Sequence, residues 1–255
     1  MKRIGLALSG GGARGIAHIG VLQALEELGI KFDEVSGTSA GSIVGVLYAH
    51  GYSAKEIFEI VKNISLYKSV RPAWGVGGWL KMDGLREMLL KYLPENDFKK
   101  LKLPFTAAAT EIRIGQIHYF NEGELIPAVL ASCSIPGVFY PVQIKDGLYV
   151  DGGVLDNLPS LPLTKTCEFV VGSHCNLVTP LFDTHSTRAV VERSLLMAIG
   201  ANTWSSKQLC DVVIEPPGLD HFTVFDIGKS KEIFDLGYKW TKENFNDSHF
   251  AGMIS

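Results

Sequence analysis

Residues Asp33-Glu34-Val35-Ser36-Gly37-Thr38-Ser39-Ala40-Gly41-Ser42-Ile43-Val44-Gly45-Val46-Leu47-Tyr48-Ala49-His50 read as a strand, a turn and a helix in immediate succession. Asp33 to Ser36 is the end of a short strand, and Ser42 to His50 is apolar enough to form a buried helix. Between them, Gly37-Thr38-Ser39-Ala40-Gly41 has the form G-x-S-x-G. A turn that tight needs glycines on both sides of the serine, and it lifts the hydroxyl clear of the sheet toward a substrate. In a chain with 27 glycines among 255 residues a chance match is about a one-in-ten event, so the spacing alone decides little. The strand-to-helix setting makes Ser39 a candidate nucleophile. A glycine turn that serves only close packing is the alternative.

Toward the N-terminus, an apolar strand from Ile4 to Leu8 is followed by Gly10-Gly11-Gly12-Ala13-Arg14-Gly15. An amphipathic helix then runs from Ile16 to Leu28 and stops at Gly29. Amides without side chains at a helix start bind negative charge, whether a phosphate or an oxyanion. Gly10-x-Gly12-x-x-Gly15 also satisfies the dinucleotide fingerprint, with Asp33 and Glu34 at the offset of a ribose-binding acid. Those carboxylates precede Val35, however, and so sit at the wrong end of their strand. Dinucleotide binding stands second to acyl transfer.

Toward the C-terminus, Asp151-Gly152-Gly153 follows the β-type run Leu148-Tyr149-Val150. Two glycines after a strand-end aspartate allow another backbone or side chain to come close. Of the neighbouring aspartates, Asp146 with Gly147 reads as a hairpin turn. Asp156 with Asn157, before Leu158-Pro159, reads as loop or capping chemistry. Asp151 is the carboxylate best placed to act as a base for Ser39.

With these motifs in this order, the chain resembles the patatin-like phospholipase family. The resemblance rests on the G-G-G-x-[RK]-G loop at Gly10 to Gly15, the elbow at Gly37 to Gly41, and the D-G-G of Asp151, Gly152 and Gly153. The stretch from Ala131 to Pro141, rich in proline and aromatics, looks like the family's segment before its aspartate. Together they cover about residues 4 to 160. The resemblance implies a Ser39-Asp151 dyad in place of a triad, with the Gly10, Gly11 and Gly12 amides holding the tetrahedral oxyanion. By the same resemblance Arg14 shapes that loop or meets an anionic head group; otherwise it is a surface arginine lying along the helix. The implied activity is calcium-independent hydrolysis of lipid or phospholipid esters, without metal or cofactor and with peripheral contact to a membrane surface. A catalytically silent lipid-binding protein is a further alternative.

Alternation of strand-like and helical runs predicts an α/β three-layer sandwich, a mainly parallel central sheet flanked by helices. Further strands are expected at Pro104 to Thr110, Gln116 to Phe120, Glu168 to Ser173 and Val212 to Glu215. A long amphipathic stretch from Thr187 to Cys210 is expected to turn Val190, Val191, Leu195, Met197, Ala198 and Leu209 to the core, and Lys231 to Phe245 forms a closing helix. The whole of residues 1–255 reads as a single domain.

Hydrophobic residues make up 46% and charged residues 20%, enough for a sizeable core. A net charge of −3 argues against nucleic acid as a partner, and Lys99-Lys100-x-Lys102 reads as a solvated loop. No apolar run reaches the length of a membrane span. The apolar start is too short for a leader and runs straight into the glycine loop. Cys133, Cys167, Cys175 and Cys210 lack metal or disulfide-scaffold spacing, which fits a cytoplasmic chain with buried thiols. Tyr67 to Leu80 reads as a loop with Trp74 and Trp79 either buried as anchors or facing lipid. Among the histidines, His174 at the end of the strand at Phe169 to Ser173 is the strongest challenger to Asp151 as base.

Overall fold

The computed structural model describes residues 2–62, 71–72, 80–177 and 187–253. Strand β1 (Ile4–Leu8) leads through a 3-10 turn (Gly12–Ile16) into α1 (Ala17–Glu27). Strand β2 (Glu34–Thr38) leads into α2 (Ala40–His50), followed by α3 (Ala54–Lys62). A two-strand ribbon of β3 (Arg71–Pro72) and β4 (Leu80–Lys81) precedes α4 (Asp83–Tyr92). Trp74 and Trp79 lie outside the described residues. Then come β5 (Phe105–Glu111), β6 (Gln116–Phe120), α5 (Leu125–Ser132), β7 (Val142–Ile144) and β8 (Gly147–Asp151). The chain continues through β9 (Phe169–Ser173), α6 (Thr187–Lys207), β10 (Val212–Ile214) and α7 (Ser230–Asn244).

Among the described residues, eight strands form one sheet in the order β10-β9-β1-β2-β5-β8-β7, with β6 also paired to β5. β10, β9, β1, β2 and β5 run parallel, as the alternation of strands and helices predicts. β6, β8 and β7 are antiparallel additions delivered by hairpins. Gly115, with φ 65°, lies in the turn between β5 and β6, and Lys145 and Asp146 separate β7 from β8.

The period of two along β1 sorts the core into two layers. Leu6 and Leu8 pack with Ile19, Leu22 and Leu47 of the helices on one face. Ala7 faces the other way, toward Leu158, Leu163 and Val170. Burying each large aliphatic side chain in these layers contributes about 2 kcal/mol. The second face is covered by the segment after β8 and, through it, by α6.

Helix α6 corrects the expected core positions. Val190, Val191, Met197, Ala198 and Leu209 are exposed, and the Leu195 side chain lies outside the described residues. The helix is held by hydrogen bonds instead. Ser206 Oγ donates to Asp156 Oδ1 (2.9 Å), Ser160 Oγ donates to the Ser206 carbonyl (2.6 Å), and Thr203 is buried. Its inward face combines buried Thr203 and Ser206 with half-buried Leu196 and Ile199, so the choice of core-facing residues by hydrophobicity alone misplaces the helix.

Candidate active site

The sheet itself brings Ser39 and Asp151 together. One edge of β5 is shared between two strands that arrive from opposite directions. β2 pairs with the first half, ending at Thr38 opposite Ala108. β8 pairs with the second half, ending at Asp151 opposite Ala109. The C-terminal ends of β2 and β8 therefore meet head to head, one residue apart along β5, a rise of about 3.3 Å. Gly152 makes the meeting feasible, because a Cβ there would lie 2.3 Å from the Ala108 carbonyl oxygen.

Ser39 is the N-cap of α2 and has φ 53° and ψ −122°, a strained conformation for a side-chain-bearing residue. Its amide donates to Ser132 Oγ (2.9 Å), and its carbonyl accepts from Ser42 Oγ (2.7 Å) and from the Ser42 amide (2.8 Å). These bonds hold the strained backbone and leave the side chain free to turn elsewhere. A Cβ on Gly37 would lie 2.4 Å from the Gly41 carbonyl oxygen, and one on Gly41 2.3 Å from that of Leu8. Both flanking glycines are thus required by backbone contact. Because α2 begins immediately after Ser39, the positive end of its dipole faces the hydroxyl.

Asp151 is buried beside Ser39, close enough for the serine side chain to favour its ionised form. Burial raises its carboxyl from 3.8 to about 6, against the opposing pull of the nearby Ser39 side chain and of the Gly153 amide, which donates to Oδ1 (2.8 Å). A carboxylate in this state is a better base than one in water. The rival aspartates are occupied elsewhere. Asp156 accepts from Tyr119 Oη (2.7 Å) and from Ser206, while Asp146 lies in the exposed turn before β8.

The glycine loop lies across from this pair. The Gly10 amide donates to the Asn157 carbonyl (3.1 Å), which removes it from the expected anion-binding set. Among the described residues the Gly11 and Gly12 amides have no acceptor. Gly12 has φ 58°, and a Cβ there would meet the Val224 carbonyl oxygen at 2.5 Å. Arg14 is buried, and its Nε donates to the Phe222 carbonyl (2.7 Å), so it is not a surface residue, and it lines neither of the two cavities at Ser39. It ties the 222–225 segment against the loop, where the Ala13 amide donates to the Val224 carbonyl (2.9 Å). Gly15 packs on Ala40, its Cβ position 2.5 Å from the Ala40 Cβ.

Two cavities meet at Ser39. One, of about 120 Å³, is apolar and runs past Ile16, Ile43, Val44, Leu85 and Phe139. The other, of about 550 Å³, contains Gly11, Gly12, Asp151, Asn157 and Asn176. The asparagines are site residues that the sequence motifs do not reveal. Asn176 Nδ2 donates to the Gly10 carbonyl, as does Cys175 Sγ (3.3 Å), so the end of β9 clamps the glycine loop from a distance of 165 residues in sequence. Asn157 Nδ2 and Asn176 Oδ1 are buried without partners among the described residues. The only sequence signal for Asn157 is its place six residues after Asp151; Asn176 has none.

His18 and His174 are engaged elsewhere. His18 is buried between Ser173 Oγ (2.8 Å) and the Ser9 carbonyl (2.9 Å), and burial lowers it to about 4. His174 Nδ1 meets Glu215 Oε1 at 2.7 Å, and the ring lines neither cavity. His185 lies outside the described residues. The dinucleotide alternative loses its ribose acid: Asp33 accepts from the Ile4 amide (2.8 Å), and Glu34 accepts from Thr166 Oγ1 (2.6 Å), both at the far end of β2.

Comparison with known proteins identifies the family and the fold. The Patatin-like phospholipase family model matches residues 6–164, which hold the glycine loop, the elbow and Asp151. An uncharacterized NTE family protein of Mycobacterium tuberculosis is 35% identical over 164 residues, covering 63% of this chain and 45% of that protein. Lysophospholipase NTE1 of Candida glabrata is 29% identical over 275 residues, covering 94% of this chain and 16% of that protein. This chain therefore spans less than half the length of either relative. The crystal structure of VipD from Legionella pneumophila superposes with a TM-score of 0.54 at 15% identity, over 96% of this chain and 68% of that one, and shares its fold. With the family model spanning well over half of its residues and all three motifs, the chain belongs to the patatin-like phospholipase family.

Proposed function

We propose that this chain, acting as one domain, is a serine acyl hydrolase for lipid carboxylic esters. The observation that carries the reading is Ser39, on a strained backbone at the meeting of two cavities, beside a buried carboxylate that lines the same wider cavity. The acyl chain enters the apolar cavity beside Ile43 and Phe139, and the alcohol portion occupies the wider one. Ser39 Oγ attacks the ester carbonyl carbon while its proton passes to Asp151. The carbonyl oxygen becomes an oxyanion facing the free Gly11 and Gly12 amides. Collapse expels the alcohol, which takes the proton from Asp151, and leaves an acyl ester on Ser39. Water then attacks that ester, giving its proton to Asp151. The proton returns to Ser39 Oγ as the carboxylic acid departs.

A fluorophosphonate probe tests the assignment directly. The expected result is a single covalent adduct that peptide mass spectrometry maps to Ser39. An adduct on another residue moves the nucleophile. Lipid association without any adduct supports a silent lipid-binding protein instead.

The oxyanion donors in this reading are amides, so the chemistry calls for no metal ion. Turnover of a water-soluble ester in excess EDTA is expected to equal turnover in added calcium. A severalfold dependence on calcium with that substrate counts against the proposed site.

A further inference from the structure

Helix α6 turns Thr203 and Ser206 inward together with the half-buried Leu196 and Ile199, and leaves the apolar side chains of its opposite face to solvent. Thr203 and Ser206 are buried, and Asn202 Nδ2 donates to the Val154 carbonyl (3.0 Å). Val190, Val191, Met197 and Trp204, by contrast, are 41, 54, 58 and 69% exposed. Val190, Ser194, Met197, Ala201, Trp204 and Gln208 follow the spacing that keeps residues on one helix face, and all six are exposed. From Ser194 to Ser206 there is no Asp, Glu, Lys or Arg. A face that only meets water ordinarily carries charge. This one also adjoins the candidate site. Val191 joins Val154 and Phe225, both exposed as well, in the wall of the wider cavity, so the uncharged face and the cavity mouth are continuous.

We propose that this face of α6 docks the protein on a lipid surface, with Met197 and Trp204 as the side chains that enter it. The proposal rests on the lipid-ester reading above. In aggregated lipid the ester lies at the boundary between head groups and acyl chains. A cavity that receives it must therefore bring its mouth to that boundary. The apolar residues around the mouth leave water in the same step, and an indole suits that depth. A protein seated on the same face would cover Val154, Val191 and Phe225 and close the mouth. The neutral helix face and the net charge of −3 assign the attraction to apolar burial rather than to anionic head groups. Uncharged phosphatidylcholine is then a sufficient surface, and salt has little effect.

The test compares wild type, Ser39→Ala and the double variant Met197→Glu/Trp204→Glu by flotation with phosphatidylcholine vesicles, at low and high salt. Turnover of a short water-soluble ester and the melting temperature are read alongside. Wild type and Ser39→Ala are expected to bind equally, with little salt dependence. The double variant should bind about tenfold more weakly or worse, with soluble-ester turnover and melting temperature retained. If it does not fold, Met197→Ser/Trp204→Ser carries the test with the same expected direction. Failure of the wild type to bind these vesicles overturns the proposal, as does unchanged binding by a folded double variant. A wild-type dimer that the double variant converts to monomer, with vesicle binding unaltered, assigns the face to a second copy. Vesicle binding lost in the double variant, from a protein that hydrolyses no ester, leaves the docking surface standing and removes the hydrolase reading.

Discussion

Asp151→Asn is expected to lower kcat for a water-soluble ester about a hundredfold or more, while His174→Ala keeps most of it. Asparagine is nearly isosteric, and its side-chain oxygen can still accept from the Gly153 amide (2.8 Å in the native chain). What it cannot do is take the Ser39 proton. His174 is expected to be dispensable because its Nδ1 is held by Glu215 and its ring lines neither cavity. The pH profile separates the two ideas further. Asp151 works as a base only when ionised, and burial lifts it from 3.8 to about 6. The kcat/KM of the wild type should therefore rise through about pH 6 and level off above it, and the residual activity of the asparagine variant should lack that step. The stability sign runs the other way. A raised carboxyl favours the fold fully below 3.8 and loses that contribution as pH rises through about 6. Holding this carboxylate ionised in the native state costs about 3 kcal/mol. The asparagine variant is spared that cost, so its melting temperature at pH 8 should not fall below that of wild type. If His174→Ala proves as damaging as Ser39→Ala in a folded protein, the dyad is wrong and a triad replaces it.

Gly41→Ala is expected to destabilise the protein by about 3 kcal/mol or more. The added Cβ would lie 2.3 Å from the Leu8 carbonyl oxygen and 2.6 Å from that of Ser9. Both are backbone atoms at the end of β1, where no side-chain rotation relieves the clash. Relief requires α2 to move away from β1, which displaces Ser39 from the Gly11 and Gly12 amides. Activity and stability should therefore fall together. Gly200→Ala is the matched control: it lies within α6, and a Cβ there meets nothing within 4 Å. That change is expected to be neutral or stabilising by about 0.5–1 kcal/mol. Urea melts of the two variants decide the matter. A Gly41→Ala midpoint near that of wild type would mean that the close approach of α2 to β1 is not obligatory.

The parts of the site that can be read from sequence are those where backbone meets backbone. Gly37, Gly41 and Gly152 leave a signature because no other residue fits against Gly41, Leu8 and Ala108. The strands behind them are equally legible from their apolar runs, and β6 matches its expected bounds. Side-chain support leaves no such mark. Ser132 and Asn176 act through single side-chain hydrogen bonds to loops remote in sequence, and serine and asparagine occur in loops for many other reasons. The glycine loop shows the same limit: its composition marks three amides as equivalent, yet a carbonyl from Asn157 claims that of Gly10. Helix α6 misleads because hydrophobic periodicity presumes that apolar residues face the protein, and here Thr203 and Ser206 do.

The shared edge of β5 also sets the order in which the parts of the proposed site come together during synthesis. Ser39 leaves the ribosome more than a hundred residues before Asp151. A nascent chain can complete β1, β2 and α2 while the upper half of the β5 edge is still vacant. During that interval the serine lacks its proposed proton acceptor and the clamp that the end of β9 places on the glycine loop. In the proposed mechanism the site is thus incomplete until β8 and the end of β9 have joined the sheet, and a chain that stops short of them is expected to be inert.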